Sequence, residues 1–147
     1  RDQRLLRARA GDAELGSASL EDYAYVAAGL WHWAQVSGAD ADRALARTLV
    51  DQAWERFHEP LGWRLSERPL LPFAAHEPAL MDGPMPAPSA VLIATSLDMA
   101  AATDDPVLRR RALAALNVGH DRLRQAPFGF ASHIRAIDRA QAVDQGG

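Results

Sequence analysis

A chain of 147 residues is the length of one ordinary domain, and 48% hydrophobic residues are enough to build a core. The net charge of -3 and the scattered cations, all of them Arg, make no field that would gather a phosphate backbone, so nucleic acid is a poor partner. Without cysteine there is no disulfide, thiolate nucleophile or Cys-based zinc site, and the longest uncharged stretches, Tyr23 to Ala39 and Gly83 to Leu97, are too short and too polar to span a membrane.

From Leu20 to Val36 almost every position is apolar or small: Leu20, Tyr23, Ala24, Val26, Ala27, Ala28, Leu30, Trp31, Trp33 and Ala34 leave hardly any polar face. A helix of this kind is expected to be enclosed on all sides. It follows Ser19, carries Glu21 and Asp22 in its first turn, and stops at Ser37-Gly38, where Gly is the usual terminator.

Asp42 to His58 is amphipathic, with Leu45, Leu49, Ala53 and Phe57 recurring at helical spacing among Asp42, Arg43, Arg47, Asp51, Glu55 and Arg56. Glu59-Pro60 closes it, and Leu61 to Leu65 suits a short strand or an extended turn. A connector from Pro69 to Pro88 then carries six of the nine prolines, so it cannot be one helix; a segment of that length either lines a site or merely joins elements.

The pattern then repeats. Ala90 to Ala102 is a nearly unbroken apolar cylinder with one charge, Asp98, whereas Pro106 to Gln125 is amphipathic and opens on the helix-start signal Thr103-Asp104-Asp105-Pro106. A last helix of moderate apolarity covers about Ala131 to Val143. Alternation of enclosed and half-exposed helices fits an all-α toroid of inner and outer helices better than a four-helix bundle, whose members share one kind of amphipathicity.

Three stretches carry a family resemblance. "GSASLEDYAYVAAGLWHWAQVSGAD" resembles the L-[DE]-D-Y-A start of an inner helix in the helical-barrel region of YyaL-like, spermatogenesis-associated thioredoxin-like proteins. "WERFHEPLGW" resembles that family's turn from an outer helix into a Gly-aromatic strand, and "MDGPMPAPSAV" its D-G-A-x-P-S-G-N-S motif. In the last, Ala87, Pro88, Ser89 and Ala90 replace S-G-N-S, and the Arg usually placed before the Asp falls on His76.

The resemblance covers about Leu15 to Arg139 and implies a partial (α/α)6 toroid similar to the N-acylglucosamine and cellobiose 2-epimerase fold. Residues 1–147 are then a single helical domain, a fragment of a larger barrel, with 69–88 as an irregular or strand-like connector within it. The start at Arg1 rather than Met agrees with a piece of something longer, and the lack of a signal-peptide core favours the cytoplasm.

In such a ring the inner-helix starts surround a funnel. Glu21 is a substrate-binding candidate at such a start, or simply suits the positive end of the helix dipole. The resemblance assigns Asp22 and Tyr23 to a sugar, through charge-assisted hydrogen bonds, although Tyr23 equally suits a core ring with its hydroxyl satisfied. Asp82 is a further pocket candidate or a plain Asp-Gly turn, and Ser89 fits an N-cap better than a nucleophile.

Epimerisation needs a proton removed and returned beside a carbonyl, a task for His. Of the five, His32 suits a satisfied core position, His58 and His120 fall on outer helices, and His76 and His133 are the catalytic candidates. No metal-ligand spacing occurs and no cofactor is expected. The expectation is a sugar-handling domain binding a mono- or disaccharide, or else a non-catalytic structural or partner-binding module. In either case uncovered inner helices should drive self-association or pairing with the missing barrel segment.

Overall fold

The computed structural model describes residues 4–60, 62–67, 79–118 and 120–145. They are mostly helical: α1 is Leu20–Ser37, α2 Asp40–Phe57, α3 Pro88–Thr103, α4 Pro106–Leu116, α5 His120–Gln125 and α6 Ala131–Gln145, with a 3-10 turn at Pro127–Phe130 before α6. Two small antiparallel pairs complete the described chain, β1 (Arg9–Ala10) with β2 (Ala13–Glu14) and β3 (His58–Glu59) with β4 (Gly62–Trp63).

Local chemistry sets most of the boundaries. α1 starts in a full capping box: the Ser19 hydroxyl accepts the Asp22 amide at 3.4 Å, and Asp22 Oδ2 accepts the Ser19 amide at 2.7 Å. It ends at Gly38, whose φ of 71° is the left-handed conformation that glycine adopts without strain. Asp105 caps α4 by accepting the Val107 and Leu108 amides, and Pro106 fills the first helical position. The amphipathic stretch expected to run unbroken from Pro106 to Gln125 is instead two helices, α4 and α5, interrupted after Leu116.

Packing follows the order of the chain. α1 packs on α2 and α3, α3 packs on α4 and α6, α2 also touches α3, and α4 touches α6. The inward face of α2, with Leu49, Val50, Ala53, Trp54 and Phe57, is buried, and each large side chain there contributes about 1.5 to 3 kcal/mol on leaving water. Trp54 donates its indole N–H to the Ser96 hydroxyl at 2.9 Å, and its ring lies against Trp63, His58 and the Arg111 guanidinium. Burial, followed by the Arg111 charge, holds His58 below the ordinary imidazole value.

The expectation that α1 is enclosed on all sides is corrected. Leu20, Tyr23, Ala24, Ala27, Trp31 and Ala34 form its buried stripe, whereas Val26, Trp33 and Val36 are 40%, 60% and 84% exposed. α2 and α3 cover part of the wheel, and among the described residues nothing covers the rest. α3 comes closer to the expected cylinder, with Leu92, Ile93, Ser96, Leu97 and Met99 all buried.

Candidate functional site

A groove of about 470 Å³ runs where α1, α3 and α6 come together. Each helix gives it one stripe: Ala28 and His32 from α1; Val91, Ala94, Thr95 and Asp98 from α3; Ser132, Arg135, Ala136 and Arg139 from α6. The spacing of three, four and seven residues puts each set on one face. Alanines at 28, 90, 94 and 136 keep the floor shallow and apolar, and Pro86 stands at the end nearest the connector.

Three ionisable side chains meet at the other end. Arg139 Nε lies 2.5 Å from Asp98 Oδ1, and His32 Nε2 lies 4.0 Å from Asp98 Oδ2. The Asp98 side chain is only 16% exposed, while those of His32 and Arg139 are 64% and 50% exposed. Burial pushes the Asp98 carboxyl above the ordinary carboxylate value, an effect larger than the opposing pull of Arg139 and His32. A carboxylate raised by burial, beside an imidazole and an apolar floor, can bind a polar ligand and exchange a proton with it.

The expected site residues do not meet in this groove. Glu21 is exposed in the first turn of α1, and Asp22 Oδ2 is occupied by the Ser19 amide and hydroxyl. Tyr23 is buried, its hydroxyl accepting the Leu5 amide at 3.2 Å and its ring centroid 5.5 Å from that of Phe57. It lines a separate cavity of about 380 Å³ that also borders Arg4, Glu14 and Glu67. His76 lies outside the described residues.

Asp82 and His133 are neighbours, but in a different role. Asp82 accepts the Ser132 amide at 2.8 Å, the Ala87 amide at 2.7 Å and the Ser132 hydroxyl, so it fastens the connector to the first turn of α6. Burial raises its carboxyl, yet the Ser132 hydroxyl, the two amides and the nearby His133 outweigh that and hold it below the ordinary value. His133 is 2% exposed, with Nε2 3.4 Å from the Ser89 hydroxyl, and burial lowers it against the pull of Asp82 and the Leu80 carbonyl.

Ser89 is not the N-cap expected of it. α3 starts one residue earlier, and Ser89 is fully buried with its hydroxyl donated to the Ala79 carbonyl at 2.5 Å. His32 is likewise corrected: it is not a core histidine but stands exposed on the groove.

No family model, no curated protein and no solved structure matches this chain. The groove therefore has to be interpreted from its own chemistry. Among the described residues no group of three or more His, Asp or Glu is arranged to hold a metal ion, and no helix is long and apolar enough to cross a membrane.

The groove residues missed in the sequence had one visible signal. Asp98 is the single charge in the α3 cylinder, and a lone carboxylate there must either be paired or face an opening. His32 gave no such signal, because its apolar neighbours on both sides in sequence suggested a core that the tertiary arrangement does not build.

Proposed function

We propose that the chain is an arc of an α/α toroid, related to the barrel region of the YyaL-like proteins, whose groove binds a mono- or disaccharide. The observation that carries this reading is the Asp98 carboxylate, held by Arg139 beside His32 at one end of an Ala-floored groove between α1, α3 and α6. In a toroid these would be inner helices, and α2 and α4 outer ones.

Sugar 2-epimerisation requires one group to take the proton next to the carbonyl and another to return it, with the electron pair held meanwhile as an enediolate. In this reading Asp98 and His32 exchange the proton, and Arg139 keeps Asp98 in place and donates to a sugar oxygen. These assignments move the acid-base roles from His133, which is buried, to the residues that line the groove.

The test is ligand-observed NMR of the chain in deuterated water against N-acylhexosamines, hexoses and β-linked disaccharides. Binding together with exchange at carbon 2, the exchange being lost in a folded Asp98→Asn variant, is the expected result. If no sugar of the panel binds, the reading is wrong; binding without exchange leaves a recognition domain and removes the epimerase chemistry.

The second reading, a structural or partner-binding module, is favoured by the exposed apolar stripe Val26, Trp33 and Val36 on α1. A surface of that kind gains by being covered, whether by a second copy or by a further segment of a barrel.

A further inference from the structure

The groove contains more charge than its acid-base end uses. His32, Asp98 and Arg139 engage one another, and Asp138, three residues after Arg135 on α6, also lines the groove. Arg135 lines the groove one helical turn closer to the connector, together with Pro86, Ala90, Val91 and Ser132, and forms no ion pair within 4.0 Å among the described residues. Asp82, the acid of the connector among the described residues, already accepts three hydrogen bonds from Ser132 and Ala87.

Four residues of helix separate Arg135 from Arg139 by about 6 Å along the axis, roughly the width of one sugar ring. A ring lying over Val91, Ala94 and Ala136 would thus have its reacting carbon near Asp98 and its far substituent near Arg135. A guanidinium at that position matches a carboxylate or a phosphate in a two-pronged geometry that no neutral hydroxyl can use as fully.

Resting on the sugar-binding reading above, we propose that Arg135 is the specificity-determining residue of the groove and selects a sugar with an anionic substituent, a uronate carboxylate or a sugar phosphate. The neutral sugars then bind through the Asp98 end alone, and more weakly.

The test compares glucose, glucuronate and glucose 6-phosphate by titration calorimetry on the full chain and on its Arg135→Gln and Arg135→Lys variants. At least one anionic sugar should bind about tenfold or more tightly than glucose, and the advantage should fall as salt is raised. Arg135→Gln should abolish the advantage, bringing the anionic sugars down to the affinity that the same variant shows for glucose, and Arg135→Lys should restore part of it. The two anions, measured separately, tell carboxylate from phosphate selection.

Equal binding of all three sugars, or a preference that survives Arg135→Gln, overturns the selection by Arg135 and leaves the sugar-binding reading standing. Failure of all three to bind overturns the selection by Arg135, and the sugar-binding reading falls as well only if the N-acylhexosamines and disaccharides of the wider panel also fail to bind. Both variants are at an exposed position, and an unchanged circular dichroism spectrum will exclude misfolding as the cause of any loss.

Discussion

Replacing Asp82 by Ala removes the acceptor of two backbone amides and one hydroxyl at the junction of the connector with α3 and α6. A capping-type bond to an amide is worth about 1 kcal/mol, and bonds to a charged acceptor somewhat more, but water can reach this half-buried site and replace part of them. The expected loss is about 2 to 3 kcal/mol, which for a chain of this size lowers Tm by about 5 to 10 °C. Asp82→Asn keeps one acceptor oxygen and should lose about half as much.

The pH dependence gives a second, independent handle. The folded Asp82 carboxyl titrates below its unfolded value, so its contribution is fully present above about pH 4 and is lost as the pH falls through the folded value. Thermal melts followed by circular dichroism should therefore show the full gap between the parent chain and Asp82→Ala at pH 7, and a narrower one at pH 3. A variant within about 0.5 kcal/mol of the parent, or a gap that does not change with pH, would refute the clamp.

Ser96→Ala leaves the fully buried Trp54 indole N–H without its acceptor and should cost about 1 to 3 kcal/mol in denaturant unfolding; a loss below about 0.5 kcal/mol would mean that the indole finds another partner. Trp33→Asp puts a charge in the middle of the exposed α1 stripe and should reduce self-association in light scattering without loss of helix, whereas a parent chain that is monomeric at all concentrations would count against the stripe as a docking face.

The ends of α1 and the start of α4 were legible in the sequence because they depend on neighbours in the chain. Ser19 with Asp22, Gly38 and Asp105-Pro106 each do locally what their residue types promise. The role of Asp82 was not legible, since its partners at Ser132 lie 50 residues away and nothing in an Asp-Gly dipeptide points to them. The same holds for Ser89 and His133, 44 residues apart, and for the groove, where Asp98 meets His32 and Arg139 from two other helices. The misjudged burial of α1 has a different origin: hydropathy records which surfaces prefer to leave water, not whether a neighbour exists to cover them.

The described part of the connector is fastened at both sides of the groove. Its Pro86 carbonyl accepts the Tyr25 hydroxyl of α1 at 2.5 Å, while Asp82, four residues earlier, grips the first turn of α6. A short strut therefore bridges the two outer walls, and α3 between them begins where that strut ends. Opening the groove would break the Tyr25 or the Ser132 hydrogen bonds of the strut, so the separation of α1 from α6 is coupled to them. Any force that tugs on the connector would be felt as a change in the gap between them, which makes the aperture a property of the loop as much as of the helices.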